Sequence, residues 1–314
     1  MIYKQTLLLM IFFFGFLYGQ VEEPVAPLFR ELLIEYSNTR DFTISADEDE
    51  AYFSIQSPQG DVSAIVLIKK SLRKWSKPKL LGFTGKYMDL EPAFSPDEHR
   101  LYFVSDRPMD PDENAAGDYN IWFVQRDNRR SEWSNPIPLD TTINTTHNEF
   151  YPSLTVTGNL YFTSDNPNSQ GKDDIFFSEF RNGRFLEPVP LGESINSPGY
   201  EFNAYISPDE SFLLFSGYNR PDGQGSGDLY ISYQGENGVW GSARNLGPSI
   251  NSKYMDYCPY VNVTTNTLYF TSKRNNIVQG KAGFESLKEL SAEITKYDNG
   301  FSRIYQVSMD EILP

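Results

Sequence analysis

Apolar and aromatic residues alternate with polar turns in a pattern that recurs five times along the chain. One copy has an apolar-Ser pair at 94–95, a Pro-Asp turn at 96–97 and an apolar-aromatic stretch at 101–105. The aromatic or Leu position of that stretch falls at 52, 102, 161, 214 and 269, so successive copies lie 50, 59, 53 and 55 residues apart. Pro and Asp favour tight turns, whereas Tyr, Phe, Thr and Val favour strands. Each copy therefore predicts two strands joined by a tight turn.

Each unit also predicts a third and a fourth strand. The third strands are apolar runs at 64–68, 120–124, 174–177, 228–231 and 303–307. The fourth opens with an aromatic residue, and in three of four copies it carries Pro, at 75–78, 133–136, 185–188 and 240–243. Proline cannot donate a ladder hydrogen bond, so a strand that contains it belongs at an edge. The fourth strand is therefore predicted to be outermost.

Four antiparallel strands repeated radially describe a β-propeller. A stacked β-solenoid usually has shorter repeats, and a long sandwich would not repeat its turn chemistry so faithfully. We predict an all-β protein, a propeller with five blades of four antiparallel strands. A sixth, degenerate blade is the structural alternative, but no unassigned stretch is long enough for one.

The two ends of the chain are predicted to share the last blade. The fifth unit reaches Pro314 soon after its third strand, and the segment at about 25–40 resembles the missing outer piece. Pairing the ends in one sheet removes two free edges and closes the ring. Helical spacing at 284–297 predicts one short helix between the second and third strands of this blade. It either covers one end or side of the ring or docks a partner.

Residues 1–19 have the features of a secretory signal peptide, with Lys4 ahead of an apolar run and the small Gly19 at its end. The alternative is a membrane anchor, but the run is shorter than the ~20 residues of a spanning helix. Residues 20–314 are then one exported propeller domain with no stable transmembrane anchor. The single cysteine, Cys258, allows no intramolecular disulfide, which suits a bacterial exported protein.

Charge and residue usage exclude several functions. The formal net charge is −15, and such an acidic surface repels phosphate backbones, so no nucleic-acid partner is expected. The chain has two histidines and neither HExxH nor CxxC, which argues against a zinc site and a nucleophilic triad. Cys258 is expected to be a buried structural residue.

The repeats resemble the WD40-like β-propeller repeat found in the TolB propeller and in many exported or outer-membrane-associated bacterial proteins, Bacteroidetes-like relatives included. The resemblance covers roughly 40–310 and rests on Ser95-Pro96-Asp97 with the strand at 101–105, and on 207–209. The chain departs from it at 155–158 and 262–266, where Ser-Pro-Asp is lost, and at Arg303, where Asp is usual. The resemblance implies a periplasmic or extracellular binding or scaffolding module and does not imply a reaction.

An acidic loop is a candidate calcium site. Asp110, Asp112 and Asn114 match the first three ligand positions of a calcium loop. However, Ala115 stands where Gly is needed, and Ile121 stands where the bidentate Glu should be. Solvated turn residues are the alternative, and Ca²⁺ is the one candidate cofactor.

The repeat also carries an acidic residue just before each of four innermost strands: Asp89, Glu149, Glu201 and Asp256. Equivalent positions of a radial repeat converge on the axis, so these carboxylates are expected at one mouth of the central channel. They could cap backbone N–H groups, bind a cation or a basic or sugar ligand, or form a glycosidase pair with a separation of ~5–9.5 Å. We expect a non-enzymatic scaffold that binds a protein or glycan ligand in the bacterial envelope; the alternative is a carbohydrate-active enzyme, a glycosidase or lyase, with channel carboxylates.

Overall fold

Among the described residues, five antiparallel sheets of three to five strands follow one another along the chain, each adding its strands outward in sequence order, and one separate two-stranded hairpin accompanies the third. The computed structural model describes residues 23–27, 29–110, 112, 115–278 and 283–312. The first strands of neighbouring sheets contact one another around a common axis. The all-β, five-bladed propeller predicted from the repeats is confirmed. The predicted signal peptide lies outside the described residues and stays a prediction.

The first two blades hold nine strands among the described residues. Blade 1 comprises β1 (Asn38–Ile44), β2 (Glu50–Gln56), β3 (Ser63–Ser71), β4 (Lys74–Trp75) and β5 (Lys79–Leu80). Both β4 and β5 pair with β3. Blade 2 comprises β6 (Asp89–Phe94), β7 (Arg100–Ser105), β8 (Asn120–Gln125) and β9 (Ile137–Pro138).

The other three blades follow the same order. Blade 3 comprises β10 (Glu149–Leu154), β11 (Leu160–Ser164), β12 (Asp174–Ser178), a hairpin of β13 (Phe180–Arg181) and β14 (Arg184–Phe185), and β15 (Val189–Pro190). Blade 4 comprises β16 (Tyr200–Ile206), β17 (Phe212–Tyr218), β18 (Gly227–Tyr233) and β19 (Arg244–Asn245). Blade 5 comprises β20 (Asp256–Asn262), β21 (Thr267–Ser272) and β22 (Arg303–Ser308).

The repeated serine closes the turn between the first and second strands. The Ser95 hydroxyl accepts the Arg100 N–H at 3.0 Å, and the Ser207 hydroxyl accepts the Phe212 N–H at 3.0 Å. In blade 3, which lacks Ser-Pro-Asp, the Thr155 hydroxyl accepts the Asn159 N–H at 3.0 Å in the same way. Side chains of this kind stabilise turns by bonding nearby backbone groups. The departure from the repeat therefore leaves the turn intact.

Among the described residues, five apolar cores each lie between two adjacent blades, and a smaller cluster of Tyr151, Tyr257 and Cys258 lies at the axis. The aromatic residue before the fourth strand of one blade packs on the repeated aromatic residue of the preceding blade. Between blades 1 and 2, Trp133 donates its indole N–H to the Tyr52 hydroxyl at 2.9 Å. Between blades 3 and 4, the rings of Trp240 and Tyr161 meet edge to face, with centroids 6.2 Å apart.

The N-terminal segment completes blade 5, as predicted. Val25 and Gln306 exchange two backbone hydrogen bonds, at 2.9 and 2.8 Å. A short helix, α1 (Arg30–Leu33), then brings Phe29 and Leu33 into the core between blades 5 and 1. The closing segment is shorter than the predicted 25–40, because residues from 38 onward form β1, the innermost strand of blade 1.

Two details differ from the sequence expectation. The fourth strands follow the predicted prolines, so β5, β9 and β15 begin one residue after Pro78, Pro136 and Pro188. The predicted helix forms as α2 (Leu287–Ile294), but none of its residues is buried and Leu287 is 83% exposed.

A 3₁₀ turn (Met309–Glu311) follows β22. Within the described residues, every helix is too short or too polar to cross a membrane.

The Val25 pairing makes a testable contribution to closure. Val25→Pro removes the N–H that bonds Gln306, and we expect it to lower the free energy of unfolding by about 1 kcal/mol relative to Val25→Ala. Chemical denaturation of both variants measures the difference. Equal stability of the two would mean that the pairing adds nothing to ring closure.

Candidate functional site

The innermost strand of every blade carries a β-bulge, and the bulged residue faces the axis. The pairing registers shift at the same place in all five blades. Each bulge has a non-glycine residue with φ between 50° and 59°: Asp41, Glu91, Tyr151, Asn203 and Cys258. Bulges re-aim side chains, and strained backbone is typical of functional sites. The repeated bulge thus gathers five side chains from five blades.

An arginine joins two of these residues on the axis. The Arg40 guanidinium donates through Nε to Asp41 Oδ1 at 2.6 Å and through Nη2 to Glu91 Oε1 at 3.1 Å. The Cys258 thiol donates to Asp41 Oδ1 at 2.9 Å. Arg40 also lies over the Tyr257 ring, 5.1 Å from its centroid. One cation therefore bridges carboxylates from two different blades.

Blades 3 and 4 also donate hydrogen bonds to the Glu91 carboxylate. The Tyr151 N–H donates to Glu91 Oε2 at 2.7 Å, and Asn203 Nδ2 donates to Oε1 at 3.2 Å. Burial and the neighbouring Asp41 raise the pKa of Glu91 to about 7. Burial also raises the pKa of the Cys258 thiol well above its usual value, so it stays protonated. We call this set (Arg40, Asp41, Glu91, Asn203 and Cys258) the axial plug.

A cavity of about 260 Å³ opens on the side of the plug where the Ser-Pro-Asp turns lie, which we call the turn face. Its wall is mainly apolar, and it includes the residue after the bulge in three blades: Pro92, Pro152 and Pro259. Val156 and Val263 line its rim and are 68% and 54% exposed. The turns around it are acidic, with Asp or Glu at 47, 48, 49, 97, 98, 209 and 210.

A second cavity, of about 190 Å³, lies on the opposite face, where the innermost strands start. Arg40 and Glu91 form its floor, and Phe150, Phe202 and Tyr257 are among its walls. Burial and the charge of Arg40 lower the pKa of Lys273. The axial plug thus separates two mouths of different character.

The four predicted carboxylates lie at the start of the innermost strands, are buried, and are bonded within their own blades. In each, the carboxylate accepts the backbone N–H of the residue four positions earlier. These bonds are Gly85 to Asp89 (3.3 Å), Thr145 to Glu149 (3.1 Å), Ser197 to Glu201 (2.7 Å) and Ser252 to Asp256 (2.5 Å). This is the capping geometry considered among the alternatives. Their role in ligand binding stays a prediction.

Three of these carboxylates also meet an arginine of the same blade. The pairs are Asp89–Arg107 (2.5 Å), Glu201–Arg220 (3.3 Å) and Asp256–Arg274 (3.5 Å). Among the described residues, Glu149 has no such partner. Burial raises the pKa of Glu149 to about 7, and the charges of Asp118 and Asp165 add to the effect.

The predicted calcium loop is described only in part, because Asn114 lies outside the described residues. The carboxylate of Asp110 accepts the Asp112 N–H at 2.9 Å, which is a turn interaction. In the part of the chain that the structure describes, no group of three or more His, Cys, Asp or Glu side chains is arranged to hold a metal. Calcium binding at this loop stays a prediction.

No protein-family model matches the chain, and no curated protein matches its sequence. Solved structures do match its fold. A glycoside hydrolase shares 10% identity at a TM-score of 0.58, over 91% of this chain and 89% of that one. An α-L-arabinofuranosidase from Podospora anserina, solved in complex with cellotriose, shares 11% identity at a TM-score of 0.50, over 86% and 90%.

A putative TolB from Agrobacterium tumefaciens shares 13% identity at a TM-score of 0.51, over 88% of this chain and 78% of that one. What they share is the propeller fold. At such identities the similarity shows the fold alone, and function must be argued from the site.

Proposed function

We propose that the chain is a non-enzymatic binding module whose ligand occupies the turn-face cavity. The observation that carries this proposal is the axial plug. The two carboxylates at the axis are almost fully buried and are bonded to Arg40, Asn203, Cys258 and backbone N–H groups. A glycosidase needs an acid and a nucleophile or base that reach the sugar. The plug favours a channel that ends in a binding pocket.

The cavity favours a protein ligand that presents one apolar side chain. Drug-sized ligands fill about 300–1,000 Å³, so a cavity of about 260 Å³ suits a single side chain better than an oligosaccharide. Prolines and aromatic residues line it, as is typical of hot-spot pockets. Arg129 already pairs with Asp47, Asp49 and Glu98. The other acidic residues of these turns, at 48, 97, 209 and 210, complement Lys or Arg beside that side chain. The ligand is therefore a segment with an apolar anchor and basic neighbours.

An arrayed peptide library tests this proposal. We expect the wild-type chain to select peptides with an apolar residue next to Lys or Arg. Val156→Asp and Val263→Asp should each weaken binding of a selected peptide by about tenfold, because an ionised carboxylate cannot be desolvated cheaply at an apolar contact. Val62→Asp is the matched control, since Val62 is 66% exposed in a blade 1 loop outside the cavity. Equal loss in all three variants, or no selection, would contradict the proposal.

A carbohydrate-active enzyme is the second candidate, and one observation favours it. The pKa of Glu91 is raised to about 7, so this carboxyl can hold a proton near neutral pH, as a general acid must. Asp41 is the second carboxylate, and the Arg40 guanidinium bonds both. A glycoside hydrolase also has this fold. Turnover of aryl glycosides or plant polysaccharides that is lost in Glu91→Gln would support this candidate over the binding module.

We propose that this module is exported, as the resemblance to WD40-like repeats and the signal-peptide pattern imply, and that it acts in the periplasm or outside the cell. Expression in a bacterial host followed by mass spectrometry should give an N-terminus near Gln20. An intact Met1 in the envelope fraction would overturn the prediction of a cleaved signal peptide.

A further inference from the structure

Blades 2, 4 and 5 build the same cation site from three parts. A buried carboxylate at the start of the innermost strand faces an arginine that follows the second strand. The guanidinium also lies over at least two aromatic rings of the same blade, and in blade 2 Arg107 lies over Tyr87, Phe103 and Trp122. In blade 4, Arg220 lies 5.6 Å from the Phe215 centroid and 4.7 Å from the Tyr230 centroid. In blade 5, Arg274 lies 5.3 and 5.0 Å from Phe270 and Tyr305.

The third part is a backbone carbonyl from the loop that enters the blade. Arg220 donates to the Ile195 carbonyl at 3.2 Å, and Arg274 donates to the equivalent Ile250 carbonyl. Each guanidinium thus has a carboxylate, a carbonyl and a pair of ring faces. These are the interactions that stabilise a desolvated guanidinium.

Blade 3 has every part of this site except the arginine. Glu149 supplies the carboxylate, and Phe162 and Phe176 stack with centroids 5.8 Å apart, as Phe215 and Tyr230 do at 5.7 Å. Asn166 occupies the arginine position. Its N–H donates to the Ser164 hydroxyl at 3.2 Å, as the arginine N–H donates to Ser105 and to Ser272 in blades 2 and 5, also at 3.2 Å. The local backbone therefore matches that of blades 2 and 5, whereas in blade 4 the arginine lies one position later, three residues after Gly217.

A cavity of about 40 Å³ lies where the guanidinium would be. Its lining includes Glu149, Phe162 and Phe176. It also includes Ile143, which is equivalent to the residues that supply the carbonyl in blades 4 and 5, Ile195 and Ile250. A cavity needs about 10–15 Å³ to admit one water, so about 40 Å³ leaves room for a small group such as a guanidinium or an ammonium. The exposed side chains of Asn168 and Glu187 form its outer wall, so it can be reached from solvent.

We propose that this cavity binds a guanidinium or primary ammonium group of an external ligand, which takes the place of the arginine in blade 3. The cation bonds the Glu149 carboxylate and lies against the Phe162–Phe176 pair. Glu187 at the mouth adds a second negative charge. The site is separate from the turn-face cavity, and Glu149 is the predicted carboxylate that has no arginine partner among the described residues.

Calorimetry with agmatine and with L-arginine amide tests the site, and an uncharged amide of similar length is the negative probe. We expect binding of the cations alone. Glu149→Gln should weaken it by about tenfold or more, since a charge-assisted hydrogen bond becomes a neutral one. Glu179→Gln, an exposed carboxylate of the same blade paired with Arg181, should leave it unchanged. A peptide with an internal arginine is tested in the same way. If it binds more tightly than agmatine, the ligand is a protein segment; if agmatine binds and the peptide does not, the ligand is a small molecule.

Asn166→Arg is an independent test that does not remove the carboxylate. It should rebuild the pair found in the other three blades, raise the melting temperature and abolish binding of agmatine. The proposal is overturned if Asn166→Arg binds agmatine as tightly as the wild-type chain. It is also overturned if neither cation nor peptide binds, or if Na⁺ or Ca²⁺ binds and the organic cations do not.

Discussion

Replacing Arg40 by Met is expected to lower the free energy of unfolding by about 3–5 kcal/mol, the usual cost of removing one partner from a buried ion pair. Asp41 and Glu91 are then left without their shared cation, in a place where both side chains are almost fully buried. The two carboxylates come from different blades, so their repulsion acts directly on the packing of the ring. Denaturant unfolding at pH 8 measures the loss.

A charge-free plug is the control for this prediction. Arg40→Met combined with Asp41→Asn and Glu91→Gln should recover much of the lost stability, because uncharged partners are cheaper to bury than unpaired carboxylates. Asn also tolerates the φ of 59° at position 41. If the triple variant is as unstable as Arg40→Met, lost packing and not charge explains the effect.

The sign of the pH dependence follows from Glu91. Its folded-state pKa is raised to about 7 from an ordinary value near 4.3, so the folded state binds more protons than the unfolded state between these pH values. The contribution of Glu91 to stability therefore falls as pH rises from about 4.3 to 7. Without Arg40 the shift is larger, so the cost of Arg40→Met should be smaller at pH 6 than at pH 8.

The sequence was informative about the fold because each blade repeats its turn and strand chemistry. The Ser-Pro-Asp turns and the Tyr-Phe strands predicted the second strands, and the fourth-strand aromatics marked the blade boundaries. The exact position of the fourth strands was harder to predict, because a strand of two residues is too short to show an alternation of apolar and polar positions. The exposure of α2 was also not readable, because helical spacing of apolar residues does not reveal whether anything covers them.

In blades 2 to 5 the bulged residue lies two positions after the predicted carboxylate; in blade 1 it is Asp41, and Thr39 stands at the carboxylate position. Acidic residues at 89, 149, 201 and 256 form a readable pattern because they share a chemical type. The bulged residues share none: they are Asp, Glu, Tyr, Asn and Cys. Only the bulge makes them equivalent, and a bulge at non-glycine residues leaves no mark in composition. An acid and an arginine recur within one blade, as Asp89 and Arg107 do. That recurrence was a sequence signal for the ion pairs of the predicted carboxylates, but not for the axial residues.

Phe103→Ala is expected to cost about 3–5 kcal/mol, which is typical of truncating a buried aromatic side chain. Phe103 is fully buried between blades 1 and 2, packs against Phe83 with centroids 5.1 Å apart, and carries Arg107 on its face at 5.0 Å. The variant leaves a cavity and removes one ring face from the guanidinium that neutralises Asp89. Phe284→Ala is the matched control, since Phe284 is 52% exposed and should cost less than about 0.5 kcal/mol.

The same substitution in the next core distinguishes independent cores from a single cooperative one. Phe162 is buried between blades 2 and 3, in a cluster that shares no member with that of Phe103. Costs at sites without shared partners add within about 0.5 kcal/mol. We therefore expect Phe103→Ala and Phe162→Ala to be additive in the double variant, measured by denaturant unfolding. A cost below about 1 kcal/mol at either position would mean that its strand face does not point into the core.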